Sequence, residues 1–313
     1  MNLNKNSRIY VAGHNGMVGS AIHNLLKKKK YNNIITVSRK SLDLLNQKKT
    51  ENFLKKTRPN FVIIAAAKVG GILINQKNKA DFIYQNLTIQ NNLIHSSYKV
   101  GVKKLIFLGS SCIYPKLASQ PLKEKYLLNG MLEETNDAYA IAKISGIKMC
   151  QAYNQQYGLN YISLMPTNLY GPNDNYNLNT SHFFPALLSK ILYAKKKKLK
   201  EIVIWGDGKP KRELMYVDDL ADACEFFLKK KTRHNLINIG SGIEKTISQY
   251  AKFIMKKIGI ELKIKYDLTK PNGTPRKLLD TSLAKTYGWK SKMDLGEGFE
   301  LTLKNFLNNH SKV

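Results

Sequence analysis

The sequence predicts an α/β protein, a doubly wound parallel sheet with a smaller C-terminal α/β unit attached. Three observations lead there. A short apolar run, Arg8-Ile9-Tyr10-Val11-Ala12, ends in the glycine turn Gly13-His14-Asn15-Gly16-Met17-Val18-Gly19, and an amphipathic pattern with Ala21, Ile22, Leu25 and Leu26 on one side follows. The later runs Phe61–Ala67 and Lys104–Leu108 are apolar without alternation, as strands covered on both faces must be. Helical stretches separate these runs, and such alternation builds a parallel sheet.

Strand, glycine turn and helix in succession form the context of a dinucleotide-binding fingerprint. The glycines let the backbone turn sharply and approach a pyrophosphate, whose charge sits at the helix N-terminus. The spacing here is G-x-x-G-x-x-G. Asn33–Val37 reads as the second strand, and Ser38, Arg39 and Lys40 stand at its end. An acid at that position would hold the ribose 2′-hydroxyl of NAD, whereas an arginine accommodates the 2′-phosphate of NADP, so Arg39 points to NADP(H). Phe61–Ala67 then runs into Lys68-Val69-Gly70-Gly71, residues 80–99 form a long helix, and Lys104–Leu108 is the fourth strand. The site of such a sheet lies at the strands' C-terminal edge, which places Ser110 and Cys112 on it.

Tyr139-Ala140-Ile141-Ala142-Lys143 follows, with Tyr139 and Lys143 at i and i+4 on one helix face. An ammonium beside a phenol favours the phenolate, so the pair implies a Tyr139 pKa lowered from its ordinary value of about 10. That suits Tyr139 as general acid for a ketone undergoing reduction. The Ser110 hydroxyl and the Tyr139 phenol would together donate two hydrogen bonds to one carbonyl oxygen. The same spacing recurs at Tyr193/Lys197 and Tyr266/Lys270, so its surroundings, not the spacing, single out the first pair.

Asn160–Met165 is the next strand and leads into Pro166-Thr167-Asn168-Leu169-Tyr170-Gly171-Pro172. An Asn-rich loop continues to Ser181-His182. A helix over 183–194 and a strand over 201–205 come next, before Gly206-Asp207-Gly208 and Lys209–Glu213. Val217-Asp218-Asp219 leads a helix with acids in its first turn. Leu236–Gly240 reads as a strand returning to the sheet. The tail from 245 holds two or three helices, a strand near Lys263–Tyr266 and the cationic turn Gly273–Lys277. Residues 1–170, with returning segments near 214–242, are expected to form the dinucleotide unit. Residues 171–213 and 243–313 are expected to form the substrate unit.

Composition excludes several classes. At 313 residues, 43% apolar and 23% charged, the chain is an ordinary globular protein. No run approaches the 18 or so apolar residues of a membrane span. Three cysteines, Cys112, Cys150 and Cys224, with no C-x-x-C, argue against a disulfide scaffold or a metal site. The start Met1–Lys5 shows no hydrophobic leader, and the cytoplasm is the expected compartment. The net charge of +29 raises the question of nucleic acid. Only six of the 51 basic residues are arginine, however, and the lysines spread along the whole chain as a solvated surface would. No nucleic-acid and no membrane partner is expected, and the charge would help attract an anionic substrate.

These segments resemble the extended short-chain dehydrogenase/reductases that act on nucleotide sugars. The resemblance is carried by Gly13–Ser20, Ala65–Ile72, Ala80–Asn86, Leu108–Lys116, Tyr139–Lys143, Met165–Pro172 and Thr274–Asp280, nearly end to end. It implies NADPH-dependent conversion of GDP-4-keto-6-deoxy-D-mannose to GDP-L-fucose, by epimerisation at C3 and C5 and then reduction at C4, in a homodimer. It implies Cys112 and His182 as the acid–base pair for epimerisation, with Ser110, Tyr139 and Lys143 serving the ketone. Cofactor contacts are implied for Gly13, His14, Asn15, Gly16, Met17, Val18, Gly19, Arg39, Leu108, Gly109, Lys143, Pro166, Thr167, Asn168, Leu169 and His182. Lys190, Trp205, Arg212 and Asp280 are implied for the GDP-sugar. The family often has arginine where this chain has Asn15, a second contact to the 2′-phosphate, so Arg39 carries more of that preference here; Lys190 likewise stands where an arginine toward the nucleotide is usual. Another epimerase or dehydratase of the same fold, or a non-catalytic nucleotide sensor, are the competing readings. A dehydratase would carry an acidic pair after Ser110, where this chain has Ser111-Cys112. Sensors commonly lose the Tyr/Lys pair, which is intact here.

Overall fold

The computed structural model describes residues 2–310. Strand β1 (Arg8–Ala12) leads through the glycine turn into helix α1 (Met17–Lys28). Next come β2 (Asn33–Ile35), α2 (Gln47–Thr57), β3 (Phe61–Ile64), α3 (Ile72–Lys77), α4 (Lys79–Lys99) and β4 (Lys104–Leu108). After two 3-10 turns, Ser111–Ile113 and Glu124–Tyr126, set in a long loop, the chain forms α5 (Asp137–Tyr157) and β5 (Asn160–Pro166). Six parallel strands make the main sheet in the order β2-β1-β3-β4-β5-β9, the last being Leu236–Ile239. The strand order reverses at β1, which opens a crevice beyond the carboxyl ends of β1 and β3.

Both faces of this sheet are covered, which explains its unalternating strands. On one face Ile9, Val11, Ile106 and Ile162 pack with Ile22 and Leu26 of α1 and with Leu220, Ala223 and Phe227 of α7 (Val217–Lys229). On the other, Tyr10, Val62, Leu105 and Phe107 meet Leu54, Leu93, Ile94 and Ile147 from α2, α4 and α5. The lysines after α1 and α6 (Phe183–Lys196) fall in the last helical turn, where cations suit the dipole.

The smaller lobe has its own core. Between β5 and α6 runs the short β6 (Asn168–Tyr170), and β7 (Glu201–Trp205) and β8 (Lys211–Tyr216) precede α7. β10 (Glu244–Thr246), α8 (Ile247–Ile258), β11 (Lys263–Asp267), β12 (Arg276–Lys277), α9 (Ser282–Thr286) and α10 (Leu295–His310) complete the chain. Phe184, Leu188, Ile204, Tyr216, Tyr250 and Phe299 form one buried cluster. β8 pairs with β10 and β12 and also with β6, tying the lobe to the end of β5.

Three expectations need correction. The second strand stops at Ile35 and the third at Ile64, short of Val37 and Ala67. The glycine turn presses against the chain beyond β3: a Cβ on Gly13 would lie 2.7 Å from Ala66 Cα. Residues 65–71 therefore leave the sheet as a loop. β8, a stretch to which the sequence reading assigns no element, is a strand in which Arg212 and Glu213 are both buried. Residues 282–289, assigned to the smaller unit, pack Ala284 and Trp289 against the main sheet's first core.

The contact between α5 and β4 is close because Gly146 has no side chain. A Cβ there would stand 2.4 Å from Phe107 Cζ and 2.9 Å from Gln90 Oε1. Gly146→Ala is expected to lower stability by about 1–3 kcal/mol through overpacking, despite alanine's better helix propensity. Urea unfolding of the two proteins checks it, and an unchanged or higher midpoint would show that α5 can shift freely.

Candidate active site

One cavity of about 910 Å³ runs along the carboxyl edge of the sheet and between the lobes. Its floor begins at the glycine turn. Gly13 has φ +87°, and a Cβ on Gly19 would lie 2.1 Å from Gly13 O, so both positions exclude side chains. The first turn of α1 has no side-chain cap and no acidic residue, which leaves its N–H groups open to a phosphate. His14, Asn15, Gly16, Met17 and Val18 line the same end, with Arg39 reaching in from beyond β2. Leu108, Gly109, Pro166, Thr167, Asn168 and Leu169 line the edge next to them. These features fit a dinucleotide with a 2′-phosphate.

At the centre, α5 lies across the end of β4. Lys143, 4% exposed, donates from Nζ to Leu108 O at 2.8 Å. One turn earlier on the helix, Tyr139 reaches the Ser110–Cys112 turn, and Phe82 meets its ring edge-on with centroids 6.3 Å apart. The Ser110 hydroxyl accepts from Cys112 N at 3.4 Å, which turns the chain so that both side chains line the cavity. His182 enters from the smaller lobe at the N-terminus of α6.

Burial governs the protonation of this group, and it reverses one expectation. The Tyr139 phenol lies well above its ordinary pKa, not below it, chiefly because burial penalises the phenolate. The Cys112 charge adds to the rise and a hydrogen bond with Ser110 opposes it. Lys143 is not among the causes of the shift. Its ammonium sits 5.7 Å from the Tyr139 ring centroid and is committed to Leu108 O. Burial pushes Lys143 itself down to about 8, the Cys112 charge opposing. The Cys112 thiol is raised by burial, against the charge of Lys277, a hydrogen bond with Ser110 and the charge of Lys143. His182 is lowered by burial and then by Lys277.

The smaller lobe supplies cations and an aromatic face. Lys190 donates to Val203 O at 2.9 Å and lies 5.1 Å from the centre of the Trp205 ring. Arg212 is 8% exposed, and its guanidinium donates to Thr274 O at 2.6 Å, Lys211 O at 2.9 Å and Asn272 O at 3.3 Å. Burial brings it down to about 10. Asp280 is the one expected residue that does not line the cavity. Its carboxylate accepts from Ser282 N at 2.9 Å at the start of α9, and its carbonyl accepts from Asn238.

Two residues emerge that sequence reasoning gave no role. Lys277 lies beside Arg212 in the β12–β8 register and acts on both Cys112 and His182; its segment was legible, its direction was not. Glu213 receives Gly242 N at 2.7 Å and Leu279 N at 2.9 Å, pinning the β12 segment to β8. A buried acid in an unrecognised strand left no pattern to find. Among the described residues no group of three or more His, Cys, Asp or Glu could hold a metal, and no helix is long and apolar enough to cross a membrane.

A glycine cradle at the first strand–helix turn, with a serine beyond the end of β4 and a tyrosine and lysine on the helix packed across it, defines a dinucleotide-binding protein of the short-chain dehydrogenase/reductase kind. Residues 9–240 match the NAD dependent epimerase/dehydratase family, and the chain belongs to it. GDP-L-fucose synthase 1 of Arabidopsis thaliana is 51% identical over 97% of this chain and 94% of its own length. The GDP-L-fucose synthase of Escherichia coli K12 is 45% identical over 97% and 98%. A GDP-L-fucose synthetase from Naegleria fowleri, solved bound to NADP, superposes with TM-score 0.90 at 28% identity, covering all of this chain and 96% of that one.

The pKa of Lys143 makes stability depend on pH. Its folded value of about 8 lies below the ordinary 10.5, so between these values the unfolded chain binds more protons and stability rises with pH. The penalty, about 3 kcal/mol, is complete below the lower value and gone above the higher. Lys143→Met removes it. Its stability relative to the native protein should therefore be greatest near neutrality and decline toward pH 10, as measured by denaturant unfolding. A difference that stays flat with pH would show that the ammonium is not penalised.

Proposed function

We propose that the protein binds NADP(H) on the glycine cradle and converts GDP-4-keto-6-deoxy-D-mannose to GDP-L-fucose, epimerising C3 and C5 before reducing the C4 ketone. The observation that carries this reading is the convergence of Ser110, Cys112, Tyr139 and His182 in one cavity that also takes in Trp205, Lys190 and Arg212. Similarity to GDP-L-fucose synthases along almost the whole chain supports it.

The C4 carbonyl acidifies the protons on C3 and C5, since either carbanion delocalises onto the carbonyl oxygen. Ser110 and the protonated Tyr139 donate to that oxygen and stabilise the enolate. Cys112 and His182 form the pair that removes a proton from one face and returns one to the other. Lys277 beside Cys112 offsets part of the cost of a buried thiolate. NADPH, when bound, supplies the hydride that reduces C4. Tyr139 then gives its proton to O4, and its raised pKa keeps that proton on the phenol at neutral pH. The turn at Gly13–Gly19, Arg39, Lys143 and residues 166–169 would hold the cofactor. Arg212 and Lys190 face the diphosphate and base, with Trp205 as a stacking surface. The reading includes a homodimer, for which Tyr84 on α4 and Ile141 and Tyr157 on α5 offer exposed apolar surface.

Mixing the purified protein with GDP-4-keto-6-deoxy-D-mannose and following NADPH absorbance tests the activity directly, and no oxidation at any enzyme concentration would refute it. NADPH should bind more tightly than NADH, and Arg39→Ala should narrow the gap in a fluorescence titration; equal affinities in the native protein would remove Arg39 from this role. Cys112→Ser replaces a thiol with a hydroxyl that barely ionises. Deuterium exchange at C3 and C5 is expected to fall about 10²-fold or more, with NADPH affinity unchanged. If Cys112 were only packing, melting temperature would fall and exchange would persist in the folded fraction.

A further inference from the structure

Glu133 is a buried carboxylate that the scheme above does not use. It lies in the loop before α5, is 6% exposed and lines the main cavity. It also lines an adjoining cavity of about 420 Å³, sharing that wall with Thr135 and Gly273. Its partners are poor for a buried charge. Oε1 receives Thr135 N at 3.5 Å and Thr135 Oγ1 at 3.4 Å. Oε2 makes no hydrogen bond among the described residues; the Lys116 ammonium stands 3.2 Å away as an ion pair, off the direction of a hydrogen bond. Charge-assisted hydrogen bonds ordinarily close to about 2.7–2.9 Å. The buried Glu213 in the same protein does so, on two backbone N–H groups. Glu213 is satisfied by the fold. Glu133 is not.

We infer that Glu133 is a substrate-binding and specificity-determining residue, its carboxylate accepting a hydrogen bond from a hydroxyl of the nucleotide-bound hexose. A carboxylate is an acceptor only, so it repels a diphosphate and seeks donors. Its charge acts on Arg212 and Lys277, which places it beside the cations at the centre of the cavity. It also sits shortly before Tyr139 in the chain and lines the same cavity. The donors of a GDP-sugar within that region are the hydroxyls of the hexose. A buried acceptor oxygen with no hydrogen bond of its own rejects a ligand lacking the matching donor far more strongly than an apolar wall does.

This inference rests on the GDP-sugar reading, and two stable ligands separate the two. GDP and GDP-L-fucose are titrated calorimetrically into the native protein, Glu133→Gln and Glu133→Asp. Glu133→Gln should weaken GDP-L-fucose about tenfold or more while leaving GDP within about twofold. The KM for the 4-keto sugar should rise similarly, with a smaller change in kcat. Glu133→Asp keeps the charge among Lys116, Arg212 and Lys277, so it preserves the fold if glutamine does not. It withdraws the carboxylate by one methylene and should give the same split. Equal loss for both ligands would overturn the inference and assign Glu133 to the base or to the loop's structure. No loss for either would overturn it as well. If neither ligand binds the native protein, the GDP-sugar reading itself falls.

Discussion

The site depends on one buried hydrogen bond, from Lys143 Nζ to the last carbonyl of β4. A sheet edge and a helix face become an active site only if the helix is fixed in both height and rotation. Gly146 brings α5 against Phe107, and Lys143 locks its rotation at the strand end. Tyr139, one turn earlier, is thereby held over Ser110 and Cys112. The cost is a cation in a poorly solvated place, visible in its pKa of about 8. In the proposed reaction that cost would leave a cation on the same helix face as Tyr139, stationed before any reaction begins.

The smaller lobe uses the same device with opposite charge. Glu213 on β8 gathers the N–H groups of Gly242 and Leu279, while its own carbonyl accepts from Thr167 and Asn168 just beyond β5. A single buried residue therefore connects the main sheet's end, the strand bearing Arg212 and the strand bearing Lys277. Movement of the lobe as a whole would carry these groups together.

What the sequence revealed follows from how far apart the interacting parts lie. The glycine turn, β4, β7 and the returning strand Leu236–Ile239 are local patterns, and they appear where expected. β8 was missed because its inward positions include Arg212 and Glu213, so neither period nor apolarity marks it. Tyr139 and Lys143 were identifiable as a pair, yet their electrostatics were read with the wrong sign. The i, i+4 rule gives proximity but not burial, which dominates the phenol, while the ammonium donates to Leu108 O. Asp280 was placed by its segment and is diverted by a local cap at Ser282. Glu133 had no signal, because an acid in a polar loop is ordinary until the fold buries it.

The cavity's cations are held differently from those on the surface of this chain of net +29. Many surface lysines are answered by carboxylates, as Lys29 is by Glu225 and Lys265 by Glu201. Exposed pairs and free surface lysines alike are screened by water and salt, and attract weakly. In the cavity, Lys143, Lys190 and Arg212 are oriented by main-chain carbonyls instead: Leu108, Val203, and Lys211, Asn272 and Thr274. Carbonyls fix the direction of a cation without cancelling its charge. All three pKa values are lowered, because burial outweighs the nearby negative charge of Cys112, Asp267 and Glu133 respectively. Under the proposed function, a diphosphate entering the cavity would supply an anion to these cations and relieve part of a penalty the fold already carries. Selectivity for an anion at this one place therefore comes from how its cations are held, and the surface excess contributes attraction over longer range.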